Sequence, residues 1–298
     1  MPAEEIEPFP GQELTEEMHA SVSVEELVAP GLEGAPDVRV LVYRPKVVTD
    51  TLPLIVSLHG GGFALRPDMF PAGDAGLAML GAVVVAVDYR IVPEDPFPCA
   101  TEDCYRAACW AIETLDVDPE QVVVTGVSAG GALAAALTLM ARDRGGPKIK
   151  LQSLVIPVLD DRCESASMRQ FPTAPLFGGN QAVSMWEAYL GPDADRSSTS
   201  PYAAPARAAS LAGLPPAFIQ VGELDPLRDE GIDYAKRLMA EGVSVELYCV
   251  PRMHHGLPED MRAAAQGHQL MLAAIQSAIG SSTVEAASPT PGAPAGAR

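Results

Sequence analysis

Val122-Val123-Val124-Thr125-Gly126-Val127-Ser128-Ala129-Gly130-Gly131 constrains this chain more than any other stretch. A short β-branched run ends in Gly-x-Ser-x-Gly, and an Ala-rich helical segment follows at once. A strand that turns this sharply into a helix crowds the positions beside the serine, so Gly126 and Gly130 are needed there. The same strain lifts the Ser128 hydroxyl above a sheet, within reach of a base and a ligand. The pentapeptide alone is common by chance. Its strand and helix make it a strong signal for a nucleophile elbow.

The pattern around the elbow gives the fold class. Continuous apolar runs at Leu54–Leu58, Ala82–Val87, Val122–Thr125, Leu151–Ile156, Ala217–Val221 and Val243–Val250 read as strands buried on both faces of a mostly parallel sheet. Helical segments fall between them, near 70–80, 100–115, 129–143, 228–241 and 262–279. Ser21–Ala29 and Val38–Tyr43 alternate apolar and polar residues around Pro30-Gly31 and Gly34-Ala35-Pro36, which predicts an antiparallel hairpin. The expected fold is α/β, a mostly parallel sheet of about eight strands flanked by helices, with a small helical cap.

Domain boundaries follow from the same reading. Residues 21–280 form the main domain, and 1–20 an acidic, loosely held N-terminal arm that supplies part of the cap. Residues 160–212 separate two strands by far more than an ordinary connection and read as a cap insertion, helical around Gln181–Leu190. Residues 281–298, rich in Ser, Ala, Pro and Gly, read as a disordered tail.

Composition excludes several function classes. A chain of 298 residues, 48% hydrophobic, can bury one large core. Its formal charge of −19 argues against nucleic acid or an anionic membrane as partner, since both need clustered Lys and Arg. Cys99, Cys104, Cys109, Cys163 and Cys249 are too scattered for a disulfide framework and read as free thiols in a reducing compartment. Met1-Pro2-Ala3-Glu4-Glu5 lacks the start of a signal peptide, and no apolar run is long enough for a membrane span. The expectation is a soluble, cytoplasmic, bacterial protein.

The second chemical signal is His59-Gly60-Gly61-Gly62-Phe63, directly after a strand. Three glycines in a row cost backbone entropy, so the run needs a reason. One is close approach of bare N–H groups to an oxygen that becomes negative during acyl transfer. Such donors supply roughly 3–4 kcal/mol each. Gly61 and Gly62, joined by Ala129 after the serine, are the candidates for this oxyanion hole. A phosphate loop would want a Lys-Ser/Thr pair next, and Phe63-Ala64-Leu65 provides none.

Two further loops supply a base and its orienter. Met253-His254-His255-Gly256-Leu257 follows the last strand, and Gly222-Glu223-Leu224-Asp225 follows the strand before it. Both leave the sheet edge that carries the serine. The order Ser128, Asp225, His255 is that of a serine–aspartate–histidine triad on this kind of sheet. Glu223 is the weaker alternative for the acid and His254 for the base. Neither histidine has a partner ligand set, so no metal is expected, and no cofactor is needed because protein groups fill every role.

The chain resembles the bacterial hormone-sensitive-lipase family of α/β-hydrolase carboxylesterases. The motifs are His59-Gly-Gly-Gly-Phe63, Asp88-Tyr89-Arg90-Ile-Val-Pro93-Glu94 with Pro96-Phe97-Pro98, Gly126-Val-Ser-Ala-Gly-Gly131, Asp225-Pro-Leu-Arg-Asp-Glu-Gly231 and His255-Gly256. They run in the family's order over roughly residues 37–280. The resemblance implies Ser128 as nucleophile, Asp225 as triad acid, His255 as base, and Gly61, Gly62 and Ala129 as oxyanion donors. It further implies hydrolysis of a small-molecule ester, of short to medium chain length. A homodimer fits the resemblance, although no exposed apolar stripe demands one.

Three departures stand out. Val127 replaces the Asp or Thr that the family's large branches carry before the serine, which removes a supporting carboxylate. Leu257 stands where the family usually has Phe, widening that side of the pocket. The N-terminal part of the cap is short. Phe63, Trp186, Tyr189 and Leu257 are the candidate substrate-binding residues, with plain packing as the alternative for the aromatics. Asp229 and Glu230 open a helix, where carboxylates favour the dipole. Rival classes are a serine hydrolase of amides, formamides or carbamates, an acyltransferase, and a non-catalytic receptor on the same fold.

Overall fold

The computed structural model describes residues 7–31, 34–47 and 50–280. The start of the arm and the tail expected at 281–298 lie outside them. After a short helix α1 (Glu16–Ser21), strands β1 (Val22–Ala29) and β2 (Val38–Pro45) form the predicted antiparallel hairpin. The sheet continues with β3 (Leu52–Leu58), β4 (Val83–Val87), β5 (Val117–Val127), β6 (Ile149–Val155), β7 (Ala217–Gly222) and β8 (Val245–Val250). Its spatial order is β1-β2-β4-β3-β5-β6-β7-β8, parallel from β4 onward.

Alternation of side chains along the strands splits the core into two layers. Leu54, Val56 and Leu58 of β3 point to one face, packed with α3 (Cys99–Thr114), α4 (Ala129–Arg144) and α7 (Arg228–Ala240). Ile55 points to the other, packed with α2 (Pro71–Ala78) and α8 (Met261–Ile279). Every predicted helix is present. Leu14 and Met18 of the arm pack on the second layer, and Phe9 lies 5.4 Å from Phe70.

Two strands differ from the sequence reading. β5 begins at Val117, ahead of the apolar run, because Val117 and Asp118 pair with Leu52 and Pro53 before a register shift. β8 is not buried on both faces. Among the described residues it is an edge strand paired only with β7, and half of its side chains reach solvent.

The chain order reverses at the centre of the sheet. β4 lies to one side of β3 and β5 to the other, so the loops after β3 and β5 diverge from a common edge. A parallel sheet leaves its ligand crevice at such a switch point. The insertion before β7 covers this edge with α5 (Ala166–Gln170) and α6 (Gly179–Leu190). No helix among the described residues is long and apolar enough to cross a membrane.

Candidate active site

The elbow is fixed by what surrounds it. Ser128 sits at φ +56° and ψ −116°, outside the ordinary regions for a side-chain-bearing residue. Its N–H donates to Val155, and its carbonyl accepts from Gly131, Ala132 and Val158. A Cβ at Gly126 would stand 2.1 Å from the Gly130 oxygen, and one at Gly130 only 1.9 Å from the Leu58 oxygen. Only glycine allows the end of β3, the turn and α4 to approach this closely.

Ser128 Oγ lies 2.8 Å from His255 Nε2, and His255 Nδ1 lies 2.8 Å from Asp225 Oδ2. A carboxylate only accepts, so Nδ1 carries the proton and Nε2 is left to accept from the serine hydroxyl. Asp225 is 1% exposed, and its other oxygen accepts from the Leu227 N–H at 2.9 Å. The histidine stands in the turn of a small hairpin, β9 (Met253–His254) and β10 (Leu257–Pro258), where Gly256 takes φ +69°.

The two loops that bring His255 and Asp225 are stitched together. Leu224 N–H donates to Met253, and Glu223 Oε2 accepts from the Arg252 N–H at 2.7 Å. Asp225, and not Glu223, therefore reaches the imidazole. His254 turns toward Glu259 instead, at 3.1 Å.

The glycine loop after β3 lies against the elbow. Gly61 and Gly62 take φ +105° and +62°, and a Cβ on Gly60 would stand 3.0 Å from the Val127 oxygen. Among the described residues no acceptor takes the N–H of Gly61 or Gly62. Ala129 opens α4, and its N–H, at the first position of the helix, has no acceptor among the described residues. His59 anchors the loop from beneath. Its Nδ1–H donates to Gly60, Tyr89 Oη donates to the His59 carbonyl at 2.8 Å, and the two rings stack 4.2 Å apart. Burial lowers the His59 pKa to about 4, so this imidazole is neutral.

Four candidate substrate-binding residues separate into two groups. Phe63 stacks on Tyr189 at 3.8 Å, Trp186 packs beside both, and all three are buried in the core. Tyr189 Oη is hydrogen-bonded to Thr101. These aromatics join the cap to the sheet and expose no ring face to a cleft, because α6 lies directly over the glycine loop. Leu257 is 42% exposed on β10, beside the histidine.

The sequence reading missed other groups. Phe177 lies against His255, with ring centres 4.7 Å apart. Met185 of α6 borders the glycine loop, 3.7 Å from where Gly62 would carry a Cβ. Glu230, read as a helix-opening charge, is buried under the cap, where one oxygen accepts from the Leu159 N–H at 2.6 Å. Burial pushes its pKa well up. Only Phe177 left a sequence signal, as an aromatic in the overlong insertion.

Among the described residues no group of His, Cys, Asp or Glu is arranged to hold a metal ion. A family profile described as an alpha/beta hydrolase fold matches residues 55–259. The chain is 38% identical over 259 residues to carboxylesterase NlhH of Mycobacterium tuberculosis, covering 84% of this chain and 81% of that one. Among solved structures it is similar to a bacterial heroin esterase, at 41% identity and a TM-score of 0.85 over 88% of this chain and 86% of the other. Esterase LipW from Mycobacterium marinum matches at 37% identity and a TM-score of 0.79, over 88% and 84%. Sheet order, motifs and these matches agree: the chain belongs to the α/β-hydrolase family, in its hormone-sensitive-lipase branch of carboxylic ester hydrolases.

Proposed function

We propose that the protein is a serine carboxylesterase that cleaves small-molecule esters of short to medium chain length through an acyl-enzyme. The observation that carries this reading is the unbroken line from Asp225 through His255 to Ser128, both links at 2.8 Å. Neutral His255 takes the serine proton as Oγ attacks the ester carbonyl, and buried Asp225 stabilises the imidazolium that forms. The carbonyl oxygen, now negative, is held by the N–H groups of Gly61, Gly62 and Ala129. His255 then protonates the departing alkoxide. Water, activated by the same histidine, attacks the acyl-serine, and the acid leaves with the hydroxyl restored.

Relatives named as esterases support an ester over an amide. The test is hydrolysis of p-nitrophenyl esters from acetate to palmitate by the wild type and by Ser128→Ala. The expected result is a preference for the shorter chains, with turnover in the variant reduced at least about ten-thousandfold while the fold is kept. Full activity in the variant would sink the assignment.

A further inference from the structure

The cap brings an aromatic ring to the base of the triad, and the reaction above makes no use of it. Phe177 stands on the loop between α5 and α6, its ring tilted 37° to the imidazole of His255. The loop is folded back on itself. Gly179 and Asn180 donate their N–H groups to Phe171 and Pro172, and Gly178 donates to the Gln181 side chain. A Cβ at Gly178 would stand 2.8 Å from the Pro172 oxygen, and one at Gly179 2.7 Å from the Met168 oxygen. The closed loop delivers the ring to one place. Phe177 is only partly buried, so the residue is not sealed off from the surroundings of His255.

The two halves of an ester separate at the serine. His255 gives its proton to the departing alcohol oxygen, so the alcohol half lies beside the imidazole, while the acyl half stays bonded to Ser128. A ring resting on the imidazole therefore meets the alcohol half. We propose that Phe177 is a specificity-determining residue for that half, favouring flat, apolar alcohols such as phenols over small aliphatic ones. Aromatic rings gain from offset or tilted contact with one another, which an ethyl group does not reproduce. The inference rests on the serine-esterase reading.

Deacylation contains no alcohol, which makes the test clean. Phenyl acetate and ethyl acetate pass through the same acetyl-enzyme, so their kcat/KM ratio isolates the alcohol half. Phe177→Ala is expected to lower kcat/KM for phenyl acetate about tenfold relative to ethyl acetate. Deacylation of the acetyl-enzyme, read from burst kinetics, is expected to stay within about twofold, as is the acyl-length preference. Phe177→Leu, which keeps the apolar volume and loses the flat ring, is expected to fall between and carries the test if the Ala variant fails to fold. An equal fall on both esters with slower deacylation would overturn the proposal and leave Phe177 as a prop for His255. An unchanged ratio would also overturn it. A wild type inert on both esters would instead bring down the serine-esterase reading on which it stands.

Discussion

Ser128 and Leu176 both hold a positive φ, +56° and +63°, in very different surroundings. At Ser128 the conformation is fixed from every side. Its backbone is bonded to β6, to α4 and to the chain beyond β6, and glycines at 126 and 130 leave no room for another path. Leu176 sits at the tip of the cap loop with 70% of its surface in solvent, and among the described residues its carbonyl meets only the Gln181 side chain at 3.5 Å. Strain at the elbow is held by the sheet and sets the Ser128 hydroxyl against His255. Strain at the loop tip falls on the residue before Phe177, which is turned inward to His255. The difference teaches where each kind of function would reside on the proposed reading: bond-breaking groups on the rigid sheet edge, alcohol choice on a cap loop closed on itself.

The sharpest way to break that contrast is at the rigid end. Asp225→Asn keeps the shape of the site but offers an N–H to Nδ1, which favours the tautomer that cannot accept from Ser128. A loss in kcat of about ten-thousandfold, roughly 5.5 kcal/mol of barrier, is expected with the melting temperature little changed. Retention of more than a tenth of the activity would return Glu223 to contention as the acid. Gly130→Ala comes next. Its methyl would meet the Leu58 and His59 oxygens at 1.9 and 2.5 Å, and both are backbone atoms that cannot swing away. A destabilisation of about 3 kcal/mol or more in urea melts is expected. A well-folded, active variant would mean that the elbow is far softer than its packing implies.

How legible the molecule was in its sequence follows the same division. Apolar runs, glycine spacing and loop order are local signals, and they were enough to find the strands, the helices and the loops that bring Ser128, Asp225 and His255 together. The partners of a side chain at the cap are not local. Phe63, Trp186 and Tyr189 have the composition of a pocket wall, yet Trp186 and Tyr189 of α6 interlock with Phe63 in the core, and no sequence period separates a wedge from a wall. Phe177 reaches His255 only because two glycines fold the loop back. Asp74 was invisible for a different reason. An acidic residue in a helical segment reads as solvent-facing, but Asp74 is buried on α2 and accepts from Ser57 Oγ at 2.5 Å.

That buried carboxyl gives a prediction of intermediate size, on the face of the sheet away from the site. Burial raises the Asp74 pKa to about 7, with the Ser57 bond opposing in part. The folded state therefore holds this proton more tightly than the unfolded chain does. Its contribution to stability is full below about pH 4 and fades as pH rises through about 7. His59, held neutral down to about pH 4, pulls the other way over the acid part of this range. The difference between wild type and Asp74→Asn isolates the carboxyl. Between about pH 5 and 8 the wild type is expected to lose roughly 1–3 kcal/mol relative to the variant. Parallel pH profiles would mean that Asp74 is ionised in the folded protein.

The smallest effect belongs to the loop tip and completes the contrast. A left-handed conformation costs a leucine about 1–2 kcal/mol, whereas asparagine adopts it with less strain. Leu176 recovers little of that cost by burial, because most of its side chain is in water. Leu176→Asn is therefore expected to raise stability by about 0.5–1 kcal/mol, a shift of one or a few degrees in Tm. It is expected to leave the phenyl-to-ethyl acetate ratio where the wild type has it, since the closed loop and Phe177 are untouched. A positive φ would then be dispensable strain at the cap and fixed by its surroundings at the elbow. A variant less stable than wild type, or one with altered alcohol preference, would show that Leu176 packs on the substrate path. The cap tip would then belong with the elbow as a region whose strain serves the chemistry.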